Sequence, residues 1–328
     1  MNETTYVTQP IRTIITVEGA LGTISNIAAI AVVSKAQFGS RFSTFIFRVQ
    51  PIFDLGACLS TTVYLAFHSI MLNNYLTGIY IIDSLICHFW FRNSLFWLFC
   101  VLSVQNLVCL SLDRVSAVIF TGSIKVYANR FFILYFIYML SMVLILYVPV
   151  PLLRRYASRE CVMDFSFPLI QSSVFLDYVV YSWSVFAYFI PLLIMLTSHA
   201  WIIHAIRRTH SPNHNILTEN VESKLRIKRK IIQLVITTAI MSCQQAILHS
   251  FECIVQILIT TGVVEYTYGT PIEQMSTFLI LLGCMSNPCI LIFSTGALRR
   301  RLSTSISSLT EKMSNVGTFG QSKKSTTQ

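Results

Sequence analysis

The sequence predicts an all-α membrane protein, a seven-transmembrane helix bundle followed by a short amphipathic helix on the membrane surface. Three observations carry that expectation. Of the 328 residues, 54% are hydrophobic and only 12% charged, a balance that no soluble domain of this size tolerates. Apolar windows of roughly 20 residues or more recur at 13–36, 47–71, 84–118, 131–153, 172–206, 228–260 and 271–297. Basic residues gather in alternate connections. The segments following the odd-numbered spans, with the span ends beside them, hold nineteen Lys and Arg against four acids, a net +15. The rest holds five against ten, a net −5, and the two recover the chain's +10.

The positive-inside rule makes the basic set cytoplasmic and the N-terminus external. The net charge is thus a topology signal, and no nucleic-acid partner is called for. Residues 1–12 are expected as a short extracellular segment, 13–297 as the bundle, 298–311 as the amphipathic helix and 312–328 as a disordered cytoplasmic tail. No basic stretch with a cleavage site precedes the first window, so that span is expected to act as its own signal. Asn2-Glu3-Thr4 is a glycosylation acceptor on the outer side.

In order along the chain, the first span carries Asn26 among Gly22, Ser25, Ala28 and Ala29, small residues that let a neighbouring helix approach. The second carries Asp54, a lone carboxylate at membrane depth. Such a residue marks a polar or ion site, or is simply hydrogen-bonded by neighbouring helices. The third span is long enough to cross tilted and ends in Leu110-Ser111-Leu112-Asp113-Arg114-Val115. Asp113 can accept from Arg114 and lower the cost of burying both; the plainer reading is an interfacial arginine that snorkels.

The fourth span closes with Pro149 and Pro151, and Pro191 inside the fifth frees a carbonyl and bends the helix. A basic face, Lys224 to Lys230, opens the sixth, suited to anionic lipid or to a partner protein. Asn287-Pro288 interrupts the apolar seventh, and Ala297 to Leu302 reads as the amphipathic helix. The serines and threonines from Ser303 to Thr327 suit phosphorylation, or an inert polar tail.

Seven of the nine cysteines fall within spans, where a thiol behaves as a small hydrophobe. Cys87 and Cys161 lie on the outer, oxidising side and are expected to form a disulfide that pins the loop between the fourth and fifth spans. His199 and His204 are five apart, off a shared helical face, and His210 and His214 lie in a loop, so neither an enzyme nor a metal or cofactor site is indicated. A transporter or channel needs repeat symmetry or a polar path, and only Asp54 and Glu252 are deep acids away from Arg114.

Taken together, Asn26, Asp54, Asp113-Arg114-Val115, Pro191, Asn287-Pro288 and the outer cysteines resemble, in order and spacing, the rhodopsin-like G-protein-coupled receptors over about residues 13–305. The resemblance implies an extracellular ligand, coupling to a heterotrimeric G protein through Asp113, Arg114, Asn287 and Pro288, a polar, sodium-like pocket at Asn26, Asp54, Ser103 and Asn287, and recruitment of arrestin and receptor kinases at the plasma membrane.

Departures are several. Val115 and Leu291 replace tyrosines, and Cys243-Gln244-Gln245-Ala246 stands where the family has Cys-Trp-x-Pro. Gly283 and Gln244 replace two sodium-site residues, and Arg226 stands where an acidic partner of the arginine is common. Cys87 lies 27 residues before Arg114, two more than usual, which requires a bulge or sets the cysteine further into the loop. The pattern is similar to divergent orphan receptors of invertebrates. Phe96 occupies the position of the amine-receptor aspartate, and the seventh span holds no retinal-binding lysine.

Outer acids Asp177, Glu252, Glu265 and Glu273 favour a cationic ligand by steering, or form a solvated rim. A small basic peptide contacting Asp177, Glu252, Glu273, Phe96 and Gln244 is the expected ligand. A receptor that binds ligand yet couples weakly, or a transporter, is the alternative.

Overall fold

The computed structural model describes residues 3–71, 76–119, 128–152, 154–157, 160–163, 173–209, 221–264, 270–296, 298–300, 302–304 and 307. The helices are α1 (Glu3–Val33), α2 (Arg41–Met71), α3 (Tyr80–Phe89), α4 (Ser94–Ile119), α5 (Ala128–Met142), α6 (Pro149–Leu152), α7 (Ser173–Trp183), α8 (Ile190–Thr209), α9 (Val221–Thr260) and α10 (Pro271–Ser294). Among the described residues, six stretches, in α1, α3–α4, α5, α7–α8, α9 and α10, are long and apolar enough to cross a membrane. The remaining span is α2, 31 residues long, with Arg41, Arg48, Gln50 and Asp54 along its first half. α4 is the central post, touching α2, α5, α8 and α9, while α1 packs on α2 and α10.

Prolines decide where the helices deform. A five-residue π-helical turn, Val143–Tyr147, precedes Pro149, and a six-residue one, Ser184–Phe189, precedes Pro191. Each proline lacks an N–H and its ring crowds the carbonyl four residues back, so the preceding turn widens. At Pro288 the same effect binds two helices together. Its missing N–H leaves the Cys284 carbonyl free, and the Asn26 amide of α1 donates to it at 3.1 Å.

The third span corrects the expectation of one long tilted helix. α3 stops at Phe89 and a 3-10 turn over Phe91–Asn93 leads into α4, with Arg92 and Asn93 at φ 54° and 53°. A left-handed residue other than glycine costs about 1 kcal/mol or more. The break is clamped on both sides: the guanidinium carbons of Arg92 and Arg154 lie 5.3 and 5.5 Å from the Phe91 ring centre, and Arg154 donates to the His88 carbonyl at 3.0 Å. This turn absorbs the surplus residues between Cys87 and Arg114.

The loop after α6 forms an antiparallel hairpin, β1 (Arg154–Ala157) and β2 (Glu160–Met163), tied down by the Cys87–Cys161 disulfide across a 74-residue separation. Asp83 fastens it further, accepting from the Thr77 N–H (2.7 Å), the Gly78 N–H (3.0 Å) and the Tyr156 hydroxyl (2.9 Å). Cys161→Ala is expected to destabilise the protein by about 2–5 kcal/mol, read as a lower melting temperature of the purified protein.

Small residues set the helix spacing. A Cβ on Gly22 would stand 2.5 Å from the Cys58 sulfur, and one on Gly56 would stand 2.4–2.6 Å from the Phe99 ring. Gly56→Val is therefore expected to cost about 1–3 kcal/mol by overpacking, visible as a lowered thermal midpoint, whereas Gly39→Ala, with open space around it, is strained only by its φ of 88°.

α1 begins at Glu3, ten residues before the apolar window, so most of the expected N-terminal segment is helical. Beyond α10 the backbone is helical at 298–300 and 302–304. Leu298 is buried in the core while Arg299 and Arg300 are exposed. Asn2, Glu265 and residues 312–328 lie outside the described residues.

Candidate functional site

Two polar constellations occupy the bundle interior, one at its centre and one near the end that carries Arg41, Arg114 and Arg207.

The central constellation is organised by Asp54, which is fully buried. Its carboxylate accepts from the Ser103 hydroxyl at 2.6 Å, from the Gln50 amide at 3.2 Å to each oxygen and from the Asn287 amide at 3.1 Å. The Cys284 thiol lies beside it. Gln50 also donates to Ser103 at 2.8 Å and accepts from Asn106 at 2.8 Å. Asn106 in turn accepts from the Tyr135 hydroxyl at 3.0 Å and donates to the Ile46 carbonyl at 3.0 Å. One hydrogen-bonded chain thus joins α10, α2, α4 and α5.

Of the residues expected in this pocket, Asp54, Ser103 and Asn287 meet directly. Asn26 stands one layer away, bonded to the Gly22 carbonyl at 2.9 Å and to that of Cys284. Gln50, Asn106 and Tyr135 were not anticipated. Their signal was present: Gln50 precedes Asp54 by one helical turn and Asn106 follows Ser103 by three residues, which puts each pair on one face. Buried polar groups are satisfied by each other because lipid offers no partner.

At the basic end, Arg114 is only 2% exposed. It donates to the carboxylate of its neighbour Asp113, and its guanidinium carbon sits 5.2 Å from the Phe47 ring centre. Asp113 is held from the other side by the Ser43 hydroxyl at 2.9 and 2.8 Å. Leu291 is buried in the adjoining core. Asn287 and Pro288 are buried on α10 above it. Arg226 is on α9, where only the backbone is described.

At the opposite end, marked by the disulfide, a cavity of about 50 Å³ is lined by Arg12, Arg92, Glu273, Gln274 and Trp97 among others. Glu273 therefore shares its surroundings with two arginines. Glu252 on α9 is 6% exposed and accepts from Gln256 at 2.7 Å. Phe96 is wholly buried in a core cluster with Ile15 and Cys58, Gln244 donates to the Gly283 carbonyl at 3.2 Å, and Asp177 lies on α7, described by its backbone alone. These five residues do not converge on one described cavity.

Glu18 on α1 is a residue the sequence reading passed over. It is 6% exposed, and both its oxygens are buried without a hydrogen-bond partner among the described residues. An acid in the middle of an apolar window was the available signal.

The fold and both constellations are those of a multi-pass helical membrane protein, and comparison with protein families gives its class. The family model described as 7 transmembrane receptor (rhodopsin family) matches residues 25–291, so the chain belongs to the rhodopsin family of seven-transmembrane receptors. It is a membrane signalling receptor rather than an enzyme, of a class that takes extracellular ligands and G-protein partners. No curated protein matches the chain.

Proposed function

We propose that this receptor sits in the plasma membrane with its N-terminus outside, recognises an extracellular cationic ligand, a small basic peptide, and signals through a heterotrimeric G protein by releasing Arg114. The observation that carries the reading is the burial of Arg114 against Asp113 and Phe47. A guanidinium enclosed in this way is unavailable to a partner, and a change that loosens Asp113 exposes it. The hydrogen-bonded chain from Asn287 through Asp54 to α4 supplies a physical link along which a rearrangement at one end reaches the other.

The ligand class rests on buried acid in the disulfide half. Glu18 and Glu252 are both nine-tenths buried, and an ion pair formed there with an incoming cation is less screened than one in water. Glu273, at the wall of the outer cavity, is offset there by Arg12 and Arg92 and adds less to the attraction. Tail phosphorylation with arrestin and receptor kinases as later partners, and glycosylation at Asn2, complete the reading.

The test is a screen of cells expressing the chain against short amidated basic peptides and biogenic amines, reading calcium and cyclic AMP, with Arg114→Ala as control. The reading predicts a peptide response that Arg114→Ala abolishes and that Glu252→Gln shifts to about ten-fold lower potency. A response that Glu252→Gln and Glu273→Gln leave unchanged would overturn the cationic class.

A further inference from the structure

The lipid-facing side of the bundle carries a second cavity, about 240 Å³, between the start of α2, the second half of α4, α5 and α8. It lies at the basic end and is independent of the outer mouth. Leu112 and Leu134 in its wall are 46% and 61% exposed, so it opens toward the bilayer. Its lining is almost wholly apolar and aromatic. The hydroxyls of its two tyrosines are already committed inward, Tyr135 to Asn106 at 3.0 Å and Tyr138 to Gln105 at 2.5 Å, which leaves their ring faces to the cavity.

One lining residue is charged, and it is Asp113. An ionised carboxylate offers about four acceptor sites, of which Ser43 and Arg114 account for three contacts. An acid at the wall of an otherwise greasy cavity is complementary to one kind of occupant: an apolar body with a positive head. Tyrosine faces add favourable surroundings for such a head, and a charge-assisted hydrogen bond is stronger in this low-dielectric setting than in water.

We propose that this cavity is a binding site for a cationic single-chain amphiphile, a long-chain amine, which enters from the bilayer and sets its ammonium against Asp113. The occupant then shares the carboxylate that holds Arg114, and it packs on Tyr135, whose hydroxyl feeds the Asn106–Gln50–Asp54 chain. Binding there therefore weakens the hold on Arg114 without any contact at the outer mouth.

Cys109, partly exposed and part of the lining, provides the readout, which needs neither an agonist nor a G protein and so succeeds or fails independently of the function proposed above. The purified receptor in phosphatidylcholine nanodiscs is labelled with N-ethylmaleimide in the presence of dodecylamine, dodecanol or dodecanoic acid, and modification is followed at each cysteine by mass spectrometry. The expected result is labelling of Cys109 slowed about ten-fold by dodecylamine, little slowing by the alcohol or the acid, and no change at Cys243 and Cys289, which are exposed outside the cavity.

Asp113→Asn should reduce the amine's protection to that of the alcohol. Ser116→Lys, which places a fixed positive charge on the lining, should do the same and serves where Asp113→Asn does not fold. Equal protection by amine and alcohol, equal slowing at Cys243 and Cys289, or protection that survives Ser116→Lys would overturn the proposal.

Discussion

Asp54→Ala is expected to lower the melting temperature of the purified receptor by about 5–10 °C, the equivalent of roughly 3 kcal/mol for a protein of this size. The reason is the number of donors that point at one carboxylate. Ser103, Gln50 and Asn287 all give hydrogen bonds to it from buried positions, and a buried donor left without its acceptor costs about 1–3 kcal/mol. Gln50 keeps its second bond to Ser103, so the losses do not add in full. Asp54→Asn retains one acceptor oxygen and nearly the same shape, and should cost about half as much. Differential scanning fluorimetry on the two variants in the same detergent checks both the size and the order.

The second large effect is on signalling. Asp113→Asn removes the charge that holds Arg114 while preserving the side chain's size. Hydrogen bonds between charged partners are about twice as strong as neutral ones, so the buried, closed arrangement loses on the order of 1–2 kcal/mol relative to any state in which Arg114 is free. A shift of that size raises the population of a minor state by about ten-fold. Ser43→Ala acts on the same carboxylate from α2 and should move basal activity in the same direction by a smaller factor, since Ser43 is neutral and its hydroxyl bonds to both Asp113 and Ser40.

Much of this architecture was readable from residue types and spacing. All seven apolar windows correspond to helices, Cys87 and Cys161 are joined, and Asp54, Ser103 and Asn287 meet across three helices. What stayed hidden depends on geometry that spacing does not encode. The break at 90–93 lies inside a continuous apolar run; its cause is the clamp on Phe91 by Arg92 and Arg154, residues 62 apart in sequence. The β1–β2 hairpin is too short to show an alternating pattern. Glu273 counted as one of several outer acids, but the fold seats it beside Arg12 and Arg92, a neighbourhood that summing charges over loops averages away. Gln50 and Asn106 looked like isolated polar residues until the rotation of α2 against α4 brought them together at 2.8 Å.

Burial of Arg114 is the centre of the account, and basal nucleotide exchange tests it without knowledge of the ligand. The receptor, Asp113→Asn, Arg114→Ala and the double variant would be reconstituted in nanodiscs with a panel of heterotrimeric G proteins, and guanine-nucleotide exchange measured in the absence of agonist. The account predicts exchange several-fold above the parent for Asp113→Asn with at least one G protein, and exchange at or below the parent for Arg114→Ala and for the double variant, because the freed arginine is the proposed coupling group. Exchange unchanged by Asp113→Asn, or still elevated when Arg114 is also removed, would contradict it.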